Sequence, residues 1–186
     1  MTMGNDIERV LFSEDQIQAR IKELAAQINQ DYADSKELVV VSVLTGGMMF
    51  TIDLFKRITL YASLDCVDLS SYSGATTTSS GTVEVLQDLK HPIAGKDVLL
   101  VEDIVDTGRT LKKLIEVLDA RGANSIRVCT LFDKPERRVV DVKADYVGLD
   151  VPNEFLVGYG LDYDNLYRNL PYVGALKPSI YQGSGD

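Results

Sequence analysis

Glu102 and Asp103 are adjacent carboxylates directly after the apolar run VLLV, and Asp106-Thr107-Gly108-Arg109-Thr110 follow almost at once. Two carboxylates at the end of a strand can accept hydrogen bonds from the vicinal hydroxyls of a ribose. The second cluster suits a phosphate. A helix beginning there presents unpaired N–H groups and the positive end of its dipole. Gly108 lets the backbone come close, and Thr107 and Thr110 add hydroxyl donors. Carboxylates aimed at the phosphate itself would repel it, so the run Val98–Thr110 fits a sugar that carries a separate phosphate. Taken one at a time these residues have a plainer reading, in which Asp106 caps a helix and Glu102 and Asp103 are solvated.

The elements that must hold this cluster are legible on either side of it. Asp97–Val101 reads as a strand buried on both faces, and Leu111, Leu114, Ile115 and Leu118 give the helix after it one apolar stripe. Gly122 is a plausible stop for that helix. Upstream, Ser13 and Gln16 have capping-box form, and Ile17, Ile21, Leu24 and Ile28 recur at helical spacing, so a helix is expected from about Glu14 to Gln30. Leu38–Leu44 is a short β-branched run of the buried-strand type. Gly46-Gly47 ends it, and GMMFTIDLFKRI reads as a buried helix. Further strands are expected at Leu64–Ser71, Thr82–Gln87, Ser125–Phe132 and Asp145–Val151. The Ser/Thr/Gly-rich segment between the first two reads as a loop closing an extended hairpin. This alternation predicts an α/β fold around a central, mostly parallel sheet flanked by helices. In such sheets ligands bind outside the carboxyl ends of the strands, where Glu102–Thr110 falls.

The 186 residues suit one domain without a linker or repeat, and 45% hydrophobic with 25% charged residues is a globular profile. A net charge of −9 disfavours nucleic acid as a partner. No apolar run approaches the ~20 residues that cross a bilayer, and MTMGNDIERV lacks the form of a signal peptide, so a cytoplasmic protein with no membrane partner is expected. Cys66 and Cys129 read as buried, reduced thiols. No His/Cys set suggests a transition-metal site, and His91, before Pro92 in a turn, is not expected in catalysis.

The run EDIVDTGRT resembles the signature of the type I phosphoribosyltransferases, which bind phosphoribosyl pyrophosphate (PRPP). Its EDIVDTG form is similar to that of the bacterial hypoxanthine-guanine members. The similarity extends from about Glu8 to Tyr181. It implies that Glu102 and Asp103 hold the ribose hydroxyls and that Asp106–Thr110 hold the 5′-phosphate. It also implies that Asp106 exchanges a proton at N7 of a purine while N9 attacks the anomeric carbon. Leu44-Thr45-Gly46-Gly47 resembles the pyrophosphate loop, which in the family carries a non-proline cis peptide; here that bond would join Leu44 and Thr45. Some members have lysine where Thr45 stands. By themselves the four residues are equally a simple turn.

Ser71-Tyr72 and the loop after them resemble the lid that excludes water from the reacting centre, although residues 73–81 alone read as a surface loop. Lys134 matches the lysine that bonds the 6-oxo group of the purine and so rejects adenine. Phe155 matches the aromatic that stacks on the base, and Leu156 the residue whose backbone meets its other edge. Asp162 matches a Mg²⁺ carboxylate, with Glu102 and Asp103 able to join through ribose or water, and Arg168 matches an arginine on pyrophosphate. Without the resemblance Lys134 would be a solvated lysine, Phe155 a core residue, and Asp162 and Arg168 surface residues.

The resemblance thus implies a core over about 36–150 under a small hood from about 1–12 and 151–186. It also implies PRPP, hypoxanthine and guanine as ligands, Mg²⁺ as cofactor, and a homodimer or homotetramer. The alternatives at this stage are a xanthine-preferring or pyrimidine phosphoribosyltransferase, and a non-catalytic regulator that keeps the PRPP fold and binds RNA.

Overall fold

The computed structural model describes residues 3–71 and 83–182. In chain order the elements are β1 (Ile7–Phe12), α1 (Glu14–Asp31), β2 (Leu38–Leu44), α2 (Met48–Phe55), β3 (Ala62–Ser71), β4 (Val83–Gln87) and β5 (Asp97–Val105). They continue with α3 (Arg109–Asp119), β6 (Ser125–Asp133), β7 (Tyr146–Asp150), β8 (Leu156–Val157), β9 (Val173–Leu176) and α4 (Pro178–Tyr181). Two short 3-10 turns, Met3–Asp6 and Pro135–Arg137, complete them. A six-stranded sheet has the order β4-β3-β2-β5-β6-β7, parallel except at β4, and a three-stranded antiparallel sheet has the order β1-β9-β8.

Local chemistry starts and stops these elements. The capping box of α1 is formed: the Gln16 amide donates to Ser13 Oγ and the Ser13 amide to Gln16 Oε1. Ile17, Ile21, Leu24, Ala25 and Ile28 turn inward from it. Successive residues of β2 and β5 face opposite ways, as the pleat requires. Val40, Leu99 and Val101 join a core with α1, α2 and the small sheet, while Val39, Val41, Val98 and Leu100 join a second core with Leu111, Leu114 and Leu118 of α3. A strand buried on both faces has no polar side to show, which is why these runs are continuously apolar.

Three expectations shift. The helix read as buried, α2, buries Phe50, Thr51 and Leu54 but leaves Met48, Met49 and Ile52 exposed. The strand expected to end at Val101 continues to Val105, because β5 stays paired with β6 as far as Val105 opposite Asp133. Cys66 is half-buried rather than buried, while Cys129 is buried, and both are free thiols. No helix among the described residues is long and apolar enough to cross a membrane.

The register also makes the crevice. β2 and β5 are paired only from Leu38–Asp97 to Ser42–Val101. Chain connections leave in opposite directions from these two strands, β2 toward β3 and β5 toward β6. Where such neighbours part, at a topological switch point, the carboxyl ends leave an open cleft.

Candidate active site

Two adjoining cavities fill that cleft. The first, of about 270 Å³, is lined by the end of β2 with Thr45 and Gly46, by Glu102–Gly108, and by Thr110 and Arg168. The second, of about 590 Å³, is lined by Lys134, Arg137, Phe155, Leu156, Asp162 and Tyr181 among others. Asp103, Ile104 and Asp106 belong to both. These residues, from opposite ends of the sequence, meet because β5 ends at the wall between the two spaces.

Glu102 and Asp103 sit within the last turns of the β5 ladder, deep in the cleft. Burial pushes the Glu102 carboxyl well above the usual carboxylate range, and repulsion from Asp103 adds to it. Burial also raises Asp103, opposed by Glu102, by the Ile104 amide that donates to Asp103 Oδ1 at 2.7 Å, and by the charge of Arg168. Asp103 lies against Gly46 so closely that a Cβ there would stand 1.7 Å from Oδ2. A side chain at Gly46 would have to displace the Asp103 carboxylate.

The loop after β5 ends at Gly108, at φ +81°, the residue before α3. A Cβ on Gly108 would come within 2.5 Å of Val142 Cγ1 and 2.9 Å of Arg138 Cδ, so the segment after β6 packs against the loop from behind. No side chain caps α3. Asp106 Oδ1 accepts from Arg137 Nε at 2.6 Å, and Val139 N donates to the Thr107 carbonyl at 3.1 Å. Arg109 is exposed and does not line the cavity; only its backbone faces the loop, with N–H 3.5 Å from Thr107 Oγ1.

The peptide between Leu44 and Thr45 is cis. Thr45 and Gly46 line the first cavity, but Gly47 does not: its amide donates to Val43 O at 3.0 Å, closing the turn into α2. Arg168 reaches the cavity between two fixed points, donating to the Gly160 carbonyl at 2.7 Å and pairing with Asp162 at 2.8 Å. Gly160 in turn abuts the turn at Thr45 and Gly46, since a Cβ there would lie 2.2 Å from Gly46 O.

On the other side, Lys134 follows β6 and donates to the Glu154 carbonyl at 2.8 Å. Burial lowers its pKa, and the nearby Asp106 carboxylate opposes that. Phe155 keeps 37% of its surface exposed, large for an aromatic, and touches Tyr181 in a stack (4.9 Å between centroids) and Tyr163 edge-on (5.4 Å). Leu156 is buried in β8 opposite Ala175. Ser71 ends β3, and Tyr72 with the remainder of the expected lid lies outside the described residues.

Sequence reasoning missed Ile104, Arg137 and Tyr181 as cavity walls. Ile104 follows from strand alternation once β5 is known to continue. Arg137 and Tyr181 carry no spacing signal, being placed by a 3-10 turn and by the C-terminal α4.

An acid pair at the switch point, a glycine-opened helix beyond it and an aromatic second cavity suit a phosphorylated ribose beside a planar partner. The phosphoribosyl transferase domain model matches residues 12–164, and the chain belongs to that family. A hypoxanthine-guanine phosphoribosyltransferase of Staphylococcus aureus is 52% identical over 179 residues, 96% of this chain and 99% of the relative. One from Bacillus subtilis is 49% identical over 180 residues, 97% of this chain and 99% of the relative. A crystal structure of a hypoxanthine phosphoribosyltransferase from Staphylococcus aureus superposes with a TM-score of 0.91 at 51% identity, covering 96% of each chain.

Proposed function

We propose that this chain transfers the 5-phosphoribosyl group of PRPP to N9 of hypoxanthine or guanine, giving IMP or GMP and pyrophosphate in purine salvage. The observation that carries this reading is the shared wall of the two cavities. A sugar-phosphate in one and a planar base in the other would meet at Asp103, Ile104 and Asp106.

In this reading Glu102 and Asp103 accept hydrogen bonds from the ribose hydroxyls, and the backbone and hydroxyls of Asp106–Thr110 receive the 5′-phosphate. Thr45, Gly46 and Arg168 face the pyrophosphate. The N9–C1′ bond forms as the C1′–O bond to pyrophosphate breaks, and the leaving group departs with the electron pair. The proton lost by the purine passes from N7 to Asp106. Lys134 donates to the 6-oxo group and Phe155 stacks on the ring, with Leu156 along its edge. Rate enhancement comes from positioning and from charge facing the leaving group, without a covalent intermediate.

The donor set suits Mg²⁺. Glu102, Asp103 and Asp162 offer carboxylate oxygens, and no cage of three or more ligands forms among the described residues. A metal here would take its other ligands from substrate and water, as Mg²⁺ prefers. When bound it would neutralise charge on the pyrophosphate. The small sheet β1-β9-β8 with α4 serves as the hood over the base. The reading includes a cytoplasmic location and assembly as a homodimer or homotetramer, which sedimentation tests.

The deciding experiment measures IMP and GMP formed from PRPP with Mg²⁺, against xanthine and adenine controls. Turnover of hypoxanthine and guanine with little of adenine is expected. Turnover of xanthine alone, or none with any base, would sink the reading.

A further inference from the structure

Arg138 stands behind the site rather than in it. Its Nη1 donates to the Asp106 carbonyl at 2.6 Å, and its Nη2 donates to the Asp133 carboxylate. Both partners of that ion pair are nearly buried, at 16% and 15% exposure. Asp133 is the last residue of β6, directly before Lys134, whose amide donates to Val105 O at 3.0 Å. The guanidinium therefore joins the strand end that carries Lys134 to the loop that carries Asp106–Thr110. Its stem also occupies the space a side chain at Gly108 would need.

The other supports of this loop come from the same segment, with Arg137 on the Asp106 carboxylate and Val140 and Val142 packed against Gly108. No side chain caps α3, and the Thr107 carbonyl is met by an amide of the Arg138 segment, that of Val139. A lysine could not replace the guanidinium: it is a point charge without the planar fork that bonds a carbonyl and a carboxylate at once.

We propose that Arg138 is a positioning residue, fixing the Asp106–Thr110 loop where it receives the 5′-phosphate. The inference rests on the transferase reading above, so wild-type turnover is measured alongside; a wild-type protein without turnover would sink the reaction and not this assignment.

Removing Arg138 alone leaves Asp133 buried and unpaired, which destabilises whatever Arg138 does for catalysis. The informative variant is therefore Arg138→Met combined with Asp133→Asn, which removes both charges and keeps the volume. Its thermal midpoint should stay within roughly 5 °C of wild type, since neutral replacements of buried ion pairs are tolerated. Its KM for PRPP should rise about 10-fold or more and kcat should fall, because small misplacements of a binding loop are that costly. The KM for hypoxanthine should move less than about threefold, since Phe155 and Leu156 are untouched and Lys134 keeps its bonds to the Val105 and Glu154 carbonyls. Arg138→Lys, which keeps the charge, should show the same split. Wild-type kinetics in a folded variant would overturn the proposal, and so would equal losses on both substrates. Failure of both variants to fold would make Arg138 a structural residue and overturn it as well.

Discussion

Glu102 and Asp103 pay for their place deep in the cleft with raised pKa values, and this makes opposite demands on stability and binding. A carboxyl whose folded pKa exceeds its unfolded one binds more protons when folded. The pair's contribution to stability therefore falls as pH rises through that window and is unfavourable at neutral pH. Glu102→Gln should raise the thermal midpoint of the ligand-free protein by roughly 2–4 °C for each kcal/mol of relieved repulsion. The same change should weaken PRPP binding, and calorimetric titration with PRPP and Mg²⁺ reads that loss. PRPP affinity should also decline with acidification from a pH above the usual carboxylate range. Lys134 gives the reverse signature. Burial lowers its pKa, so its charge is lost below the usual lysine range. The KM for hypoxanthine should rise on the alkaline side before any ordinary lysine titrates, and Lys134→Met should remove that limb of the pH profile. Asp106→Asn should cut kcat by about 10²-fold or more, the scale of a lost general base, with the KM for PRPP little changed. Equal loss of both would make Asp106 a structural partner of Arg137 rather than a base.

Between Gly158 and Tyr167 the chain adopts positive φ at both glycines and also at Tyr159, Asp164, Asn165 and Tyr167. Asparagine and aspartate tolerate that region, but a tyrosine there costs of order 1–3 kcal/mol. Tertiary bonds hold the segment. Tyr159 N donates to Leu170 O at 2.8 Å, Tyr159 OH donates to Asp53 at 2.6 Å, and Tyr167 OH donates to Asp6 at 2.9 Å. The result is that Gly160 meets Gly46, and Asp162 and Arg168 face the cleft. Gly160→Ala combines a strained φ with a Cβ on the Gly46 carbonyl, so the Thr45–Gly46 turn, proposed to face the pyrophosphate, must move. A loss of at least about 10²-fold in kcat/KM for PRPP is expected from steady-state kinetics, and near-normal activity would show that the contact is slack. This segment also marks where the sequence stops being readable. β2 is legible to the residue because it is buried on both faces, and α1 because Ser13 and Gln16 form its cap. β8 has only the residues Leu156–Val157, too few for any periodicity, and it is specified by pairing with β9. Gly47 and Arg109 fit their motifs by type but do not line the cavity, Gly47 because its amide closes the turn on Val43 O and Arg109 because its side chain is exposed. A motif fixes residue identity and not which way each residue faces. Glu102 and Asp103 read as a strand end, since acids rarely lie inside a buried ladder; continued pairing with β6 keeps them in it.

At the scale of the whole molecule, the question is whether the two sheets unfold together. The cleft draws on both: Asp103, Asp106 and Lys134 belong to the large sheet and its loops, and Phe155, Leu156 and Tyr181 to the small sheet and α4. Beneath the cleft the two parts share a core, in which Ile17, Ile21, Leu99 and Val101 pack in one cluster with Leu156, Tyr159, Val173 and Ala175. A continuous core of this kind cannot release the small sheet without exposing apolar surface of the large one, which predicts a single cooperative transition. The chain itself supplies the probes. It has no tryptophan, and Tyr159, Tyr163, Tyr167, Tyr172 and Tyr181 all lie in the C-terminal part, so near-ultraviolet dichroism weights the small sheet. Far-ultraviolet dichroism weights α1 and α3 on the large one. Both signals should lose their structure at the same temperature. IMP at ~100 times its Kd should shift both together, by the roughly 2.7 kcal/mol that such saturation supplies, or about 5–11 °C. PRPP should give its shift only with Mg²⁺ present and lose most of it in EDTA. A near-ultraviolet transition that comes first, or that alone responds to IMP, would mean that the small sheet is a separate unit docked on an independently stable core.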